Sequence, residues 1–242
     1  MRCVSETYFS FTIFLLLFSI ETISALYDEA FIRSILGDNY VDTTMENVAN
    51  GDPAAIYTNT TALGDIGSFL GITINNIRVG LLMYISGITL GIGTLKILFS
   101  NSMMLGAFLT MFHKANVLGT SLTAIWIHGA MEIFGMVIEA AAGFILGLAW
   151  LFPGSLTRRQ AFMQSGKDSL MIVLSTIPFT IAAGLLEGFI TQLYNDMPNA
   201  MALAIIFSTL SLISYYYLIY PVRHHARRPE VHTFHEMLHE EL

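Results

Sequence analysis

Two stretches of this 242-residue chain hold residue types whose spacing could do chemistry. The first is His128-Gly129-Ala130-Met131-Glu132, with Glu139 seven residues further on. A spacing of four places His128 and Glu132 on one face of a helix, and Glu139 falls on nearly the same stripe. An imidazole and carboxylates so placed can relay protons, hold an ion or join helices by hydrogen bonds. Glu187 adds a further carboxylate at the end of another apolar stretch. The second stretch is His235-Glu236-Met237-Leu238-His239, a formal match to the zinc-peptidase pattern H-E-x-x-H. In that pattern two histidines one helical turn apart bind zinc and the glutamate activates water.

Neither stretch builds a convincing catalytic centre. The tail motif has only His232, Glu240 or Glu241 as a local third ligand. A polar tail has no wall to exclude water or orient a substrate. A solvated amphipathic tail anchored by Arg223 and Arg227 at the headgroups is the expectation there, with adventitious metal binding by His224, His225, His232, His235 and His239 ranked above catalysis. Around His128, one imidazole and two carboxylates supply too few soft ligands for zinc, so no metal or cofactor is expected. There is no GxSxG elbow, Walker loop or paired-cysteine motif, and no GxGxxG stands between a strand and a helix. The single cysteine, Cys3, can form no internal disulfide. No residue is assigned a catalytic role, and the protein reads as a non-enzyme.

The elements that must position these residues lie in lipid. The chain is 54% hydrophobic and 12% charged, against about 25% charged in soluble domains. A net charge of -7 opposes a nucleic-acid partner. At about 20 residues per span, hydropathy gives six: Tyr8 to Ala25, Ile77 to Phe99, Met103 to Leu118, Leu122 to Phe152, Leu170 to Phe189 and Ala200 to Tyr220. The third, interrupted by His113, Lys114 and Asn116, suggests a short or re-entrant segment. The expected fold class is all-α, a polytopic transmembrane helical bundle of about six spans. Its expected parts are a first span over residues 1–26, an acidic extracytoplasmic loop over 27–76, the bundle over 77–220 and a His-rich cytoplasmic tail over 221–242. The first segment also has the look of a secretory signal, but Ile23 is a poor cleavage-site residue, and a retained span is favoured.

Arg158, Arg159 and Lys167 precede the fifth span, and Arg223, Arg227 and Arg228 follow the sixth, so both groups should be cytoplasmic. The segment from Tyr27 to Asn75 carries seven acidic residues against Arg33 and should face outward. Six spans then place both termini inside a cell membrane. Within the outer segment, Phe31, Ile32, Ile35 and Leu36 before Gly37 predict a short amphipathic helix. Thr43 and Glu46 spell a capping box. Pro53 and the Gly64 to Gly71 stretch read as turns, and Asn59-Thr60-Thr61 is a formal glycosylation sequon.

Ionisable residues within spans are costly unless paired or protected. His128, Glu132, Glu139 and Glu187 therefore suggest a polar interior, with Arg78 near the outer boundary as counter-ion for Glu187. Gly80, Gly87 and Gly91 are expected to line one face of the second span, and Gly143 and Gly147 form a GxxxG packing element in the fourth.

The chain resembles the stage II sporulation protein M (SpoIIM) family of bacterial membrane proteins. The likeness rests on Asn75-Asn76, the turn containing Asn101, and the run from His128 to Glu132. It extends through Ala140-Ala141-Ala142-Gly143, Gly147, Pro153-Gly154 with Arg158 and Arg159, and the segment from Ala183 to Thr191. The resemblance implies a multi-helix membrane protein without catalytic activity, and in endospore formers a scaffold for peptidoglycan-remodelling partners during engulfment. The leading expectation is accordingly a non-enzymatic membrane scaffold for envelope remodelling. Its expected partners are the bilayer and other membrane or envelope proteins, such as wall hydrolases or an ATPase, with homo-oligomerisation as a further option. The alternative is a transport protein or permease subunit with a polar path through His128, Glu132, Glu139 and Glu187.

Overall fold

A computed structural model describes residues 2–52, 55 and 62–226. The described residues form helices and no strand. In chain order these are α1 (Arg2–Tyr27), α2 (Glu29–Leu36), α3 (Asp38–Ala49), α4 (Ala62–Ser86), α5 (Ile92–Lys114), α6 (Leu118–Leu151), α7 (Arg158–Leu185), α8 (Asn199–Ser214) and α9 (Tyr220–Ala226). A π-helical turn at Leu186–Ile190 and a 3-10 segment at Thr191–Asp196 prolong α7. A second π-helical turn, Tyr215–Ile219, joins α8 to α9. Six of these segments are long and apolar enough to cross a membrane.

The long helix α6 is the axis of the bundle. In its most apolar window 78% of residues are buried, against 11% in the last span. Its sequence explains why. A run of small buried residues (Ala140, Ala141, Ala142, Gly143, Gly147) keeps its surface low, and at Gly143 and Gly147 neighbouring backbone comes into direct contact. Phe14 of α1, Met83 of α4 and Leu98 of α5 pack with Val137 and Phe144. Phe134 and Ile138 meet Ile213 and Tyr217 on the opposite side.

The break between the second and third spans falls at residues 87–91, not beyond Phe99. Leu90 and Gly91 both have positive φ, +58° and +85°, the left-handed conformation that ends one helix and admits the next. Hydropathy passes over this turn because Gly-Ile-Thr-Leu-Gly carries no charge and stays apolar. The third span is consequently a full helix, Ile92–Lys114, rather than a short or re-entrant one. Gly87 and Gly91 thus belong to the turn and not to a helix face, yet they still pack: a Cβ on Gly147 would lie 2.5 Å from the Gly87 carbonyl oxygen. Gly143 and Gly147 thereby seat the α4–α5 turn on α6.

The segment between α1 and α4 also departs from expectation in part. The short amphipathic helix is present as α2, with Asp28 accepting from the Ala30 N–H and Gly37 ending it at φ +86°. The Thr43 capping box does not form, because α3 already begins at Asp38 and Thr43 sits within it. The glycines of the 64–71 stretch lie in helix α4 rather than in turns. A capping box does occur at Thr157 and Gln160, where it starts α7. Ile32 and Val41 pack on Met111, Phe112 and Ile125, so α2 and α3 close one end of the bundle. Pro53, the sequon at 59–61 and the tail motif from His232 to His239 lie outside the described residues.

Candidate functional site

The buried polar residues of α6 meet partners from α4 and α7. His128 is 4% exposed, and its Nε2 lies 3.8 Å from Glu187 Oε2 in the π-helical turn after α7. Its Nδ1 is 3.1 Å from Thr191 Oγ1. The Thr191 hydroxyl donates to the Leu186 carbonyl at 3.1 Å. The Thr191 hydroxyl thus links the His128 ring to the backbone of the π-turn. The π-turn is therefore a positioning device. It widens the helix where Glu187 must face α6 and where Thr191 must reach His128.

Glu132 accepts a hydrogen bond from Asn76 Nδ2 at 2.6 Å. One ligand atom each from His128, Glu132 and Glu187 all fall within 4.8 Å of one another. Glu139 is separate from this trio. Its Oε1 accepts from Thr176 Oγ1 at 2.8 Å, and its carboxyl fills the space that a side chain on Gly80 would occupy. A cavity of about 410 Å³ unites the two arrangements, lined by Glu132, Glu139, Glu187, His128 and Asn76 among apolar residues of α5 and α6. Ile35, Leu36 and Tyr40 of α2 and α3 also line it.

Arg78 is not the partner of Glu187. Because α4 turns at Gly87, Arg78 lies midway along the Phe69–Ser86 span rather than near one end, and it is exposed. Asn75, also exposed, precedes it by one helical turn, whereas Asn76 points toward Glu132. The ion pairs among the described residues are those of Arg33 with Asp38 and Asp42 and the contact of His128 with Glu187. At the exposed end formed by α2 and α3, hydrogen bonds that Arg33 donates first to Asp42 and then to Asp38 raise its pKa further.

Thr176 was not legible as a site residue from spacing alone. A signal exists, however: Thr176 and Thr180 stand four apart within an apolar helix, and both are buried.

Helices that wrap a buried polar cluster and expose an apolar exterior define a polytopic α-helical membrane protein. Within that class, the stage II sporulation protein M model matches residues 10–192, from within α1 to just beyond the π-turn that carries Glu187. The chain belongs to the SpoIIM family. Neither the curated proteins nor the solved structures contain a match.

Proposed function

We propose that the protein is a non-enzymatic membrane scaffold that organises partner proteins for remodelling of the cell envelope. The observation that carries this reading is the exposed pair Asn75 and Arg78 in the middle of a span. Arg78 is eight residues from Ser86, about 12 Å along a helix. An arginine at such depth costs about 2.5–3.5 kcal/mol on insertion scales unless something covers it. Another membrane protein with an acidic or polar side chain at that depth would supply the cover. SpoIIM family membership supports the same reading and favours wall hydrolases as partners, with forespore engulfment as the setting in endospore formers.

The basic residues Arg158, Arg159, Lys167 and Arg223 favour a cytoplasmic position for the α6–α7 loop and the end of the sixth span. That reading gives a multi-pass cell-membrane protein with both termini cytoplasmic.

Affinity purification from native membranes tests the scaffold. The wild type should co-purify envelope-remodelling proteins, and Arg78→Leu should lose them while remaining monodisperse. Co-purification unaffected by Arg78→Leu would remove the support given by this pair.

A second reading, transport, is favoured by the cavity lined by His128, Glu132 and Glu187. Proteoliposome flux abolished by Glu132→Gln in a folded protein would support it.

A further inference from the structure

Beneath α2 and α3, His128, Glu132 and Glu187 bring one ligand atom each to within 4.8 Å of one another at the wall of the cavity. With His128 Nδ1 3.1 Å from Thr191 Oγ1, Nε2 is the ring nitrogen on the side of the Glu187 carboxyl, 3.8 Å away. Glu132 brings a second carboxyl to the same point, and among the described residues no lysine or arginine lines the cavity around them. A shared proton or a metal cation would join such a set of donor atoms, and one imidazole with two carboxylates is a set that first-row divalent ions accept.

We propose that His128 Nε2 and one carboxylate oxygen each from Glu132 and Glu187 form a site for a divalent first-row transition-metal ion. Imidazole and carboxylates suit ions of the manganese-to-zinc series. Two ligands about 2.1 Å from one ion stand at most about 4.2 Å apart. The His128–Glu187 separation already fits that limit, and the others, none above 4.8 Å, close by side-chain rotation. The outer partners are in place as well. Thr191 orients the imidazole, and Asn76 holds Glu132. A 2+ ion balances two carboxylates, so the loaded site is electrically neutral within the bilayer. Three protein ligands leave coordination positions open to the cavity for water or a small anionic ligand.

The donor set is still one imidazole and two carboxylates, the set read from the sequence as too poor in soft ligands for zinc; what the structure adds is that Glu187, brought in by the π-turn, and not Glu139, stands with His128 and Glu132. The site does not depend on the scaffold reading and survives or fails separately.

The test uses the full chain in detergent, with His224, His225, His232, His235 and His239 replaced by alanine to silence the tail. After chelator treatment the protein is titrated with Co²⁺ and with Zn²⁺. The expected result is one ion per chain, a visible Co²⁺ ligand-field band and a raised unfolding temperature. Glu187→Gln and His128→Ala should each weaken binding more than about 100-fold, Asn76→Ala about 10-fold, and Glu46→Gln on exposed α3 not at all. Unfolding of the metal-free Glu187→Gln protein checks that it is folded. Binding below one-tenth of an ion per chain, binding lost on silencing the tail, or binding indifferent to Glu187→Gln would each overturn the proposal.

Discussion

Replacing Gly147 by alanine should destabilise the bundle, whereas the same change at Gly135 should not. Both glycines lie in α6 and both are buried, so helix propensity favours alanine equally, by about 0.5–1 kcal/mol. Their surroundings differ. A Cβ at Gly147 meets the Gly87 carbonyl oxygen at 2.5 Å and the Leu90 carbonyl carbon at 2.8 Å, whereas at Gly135 nothing lies within 4 Å. Ordinary contact begins at 3.4 Å, so the α4–α5 turn would have to retreat by about 0.9 Å (3.4 less 2.5). The obstructing atoms are backbone, held in a turn with two consecutive positive-φ residues, and no side chain can swing aside. Overpacking of this kind costs about 1–3 kcal/mol, leaving a net loss of up to about 2.5 kcal/mol after the propensity gain. For a chain of this size that corresponds to a fall of up to about 10 °C in unfolding midpoint. Thermal unfolding in mild detergent, followed by the fraction remaining monodisperse, reads both variants side by side. Equal midpoints for Gly147→Ala and Gly135→Ala would refute the reasoning.

Thr176→Val should cost about 1–3 kcal/mol, because it strips the hydroxyl donor from a carboxylate that is only 6% exposed; chemical denaturation measures it, with Thr209→Val on the periphery as reference. Tyr84→Phe removes a 2.9 Å hydrogen bond to the Gly166 carbonyl that ties α4 to α7, and the midpoint should fall by the equivalent of about 1 kcal/mol. Thr157→Ala breaks the capping box that starts α7 and should lower stability by about 1 kcal/mol, visible as faster amide exchange in the first turn. Arg33→Ala removes two ion pairs at the surface; because water and salt screen exposed pairs, the unfolding midpoint should not move at physiological ionic strength.

Composition and charge placement revealed the solvent, the six spans and the polar leftovers, because burying charge in lipid is costly enough to dominate residue choice. Turn chemistry was harder to read. Gly87 to Gly91 breaks the chain without a single polar marker beyond Thr89, so a hydropathy window runs straight through it. Displacing that boundary shifted Arg78 from a span end to a span middle and removed it as partner for Glu187. The His128–Glu132 face was legible from a spacing of four. What joins it was not: Glu187 and Thr191 come from a helix 59 and 63 positions further along (187 − 128 and 191 − 128), through a π-turn whose irregular register leaves no periodic trace. Thr43 shows the converse error, a local capping signal overridden because α3 starts five residues earlier.

The most direct measurement of the scaffold reading is site-specific photo-crosslinking from position 75 in native membranes. Asn75 is exposed one turn from Arg78 on the same face. A photoreactive residue there should give a discrete covalent adduct with an envelope protein or a second copy of the chain, lost when Arg78→Leu is added. Lipid adducts alone, unchanged by Arg78→Leu, would contradict the claim that this face is built to be covered by protein.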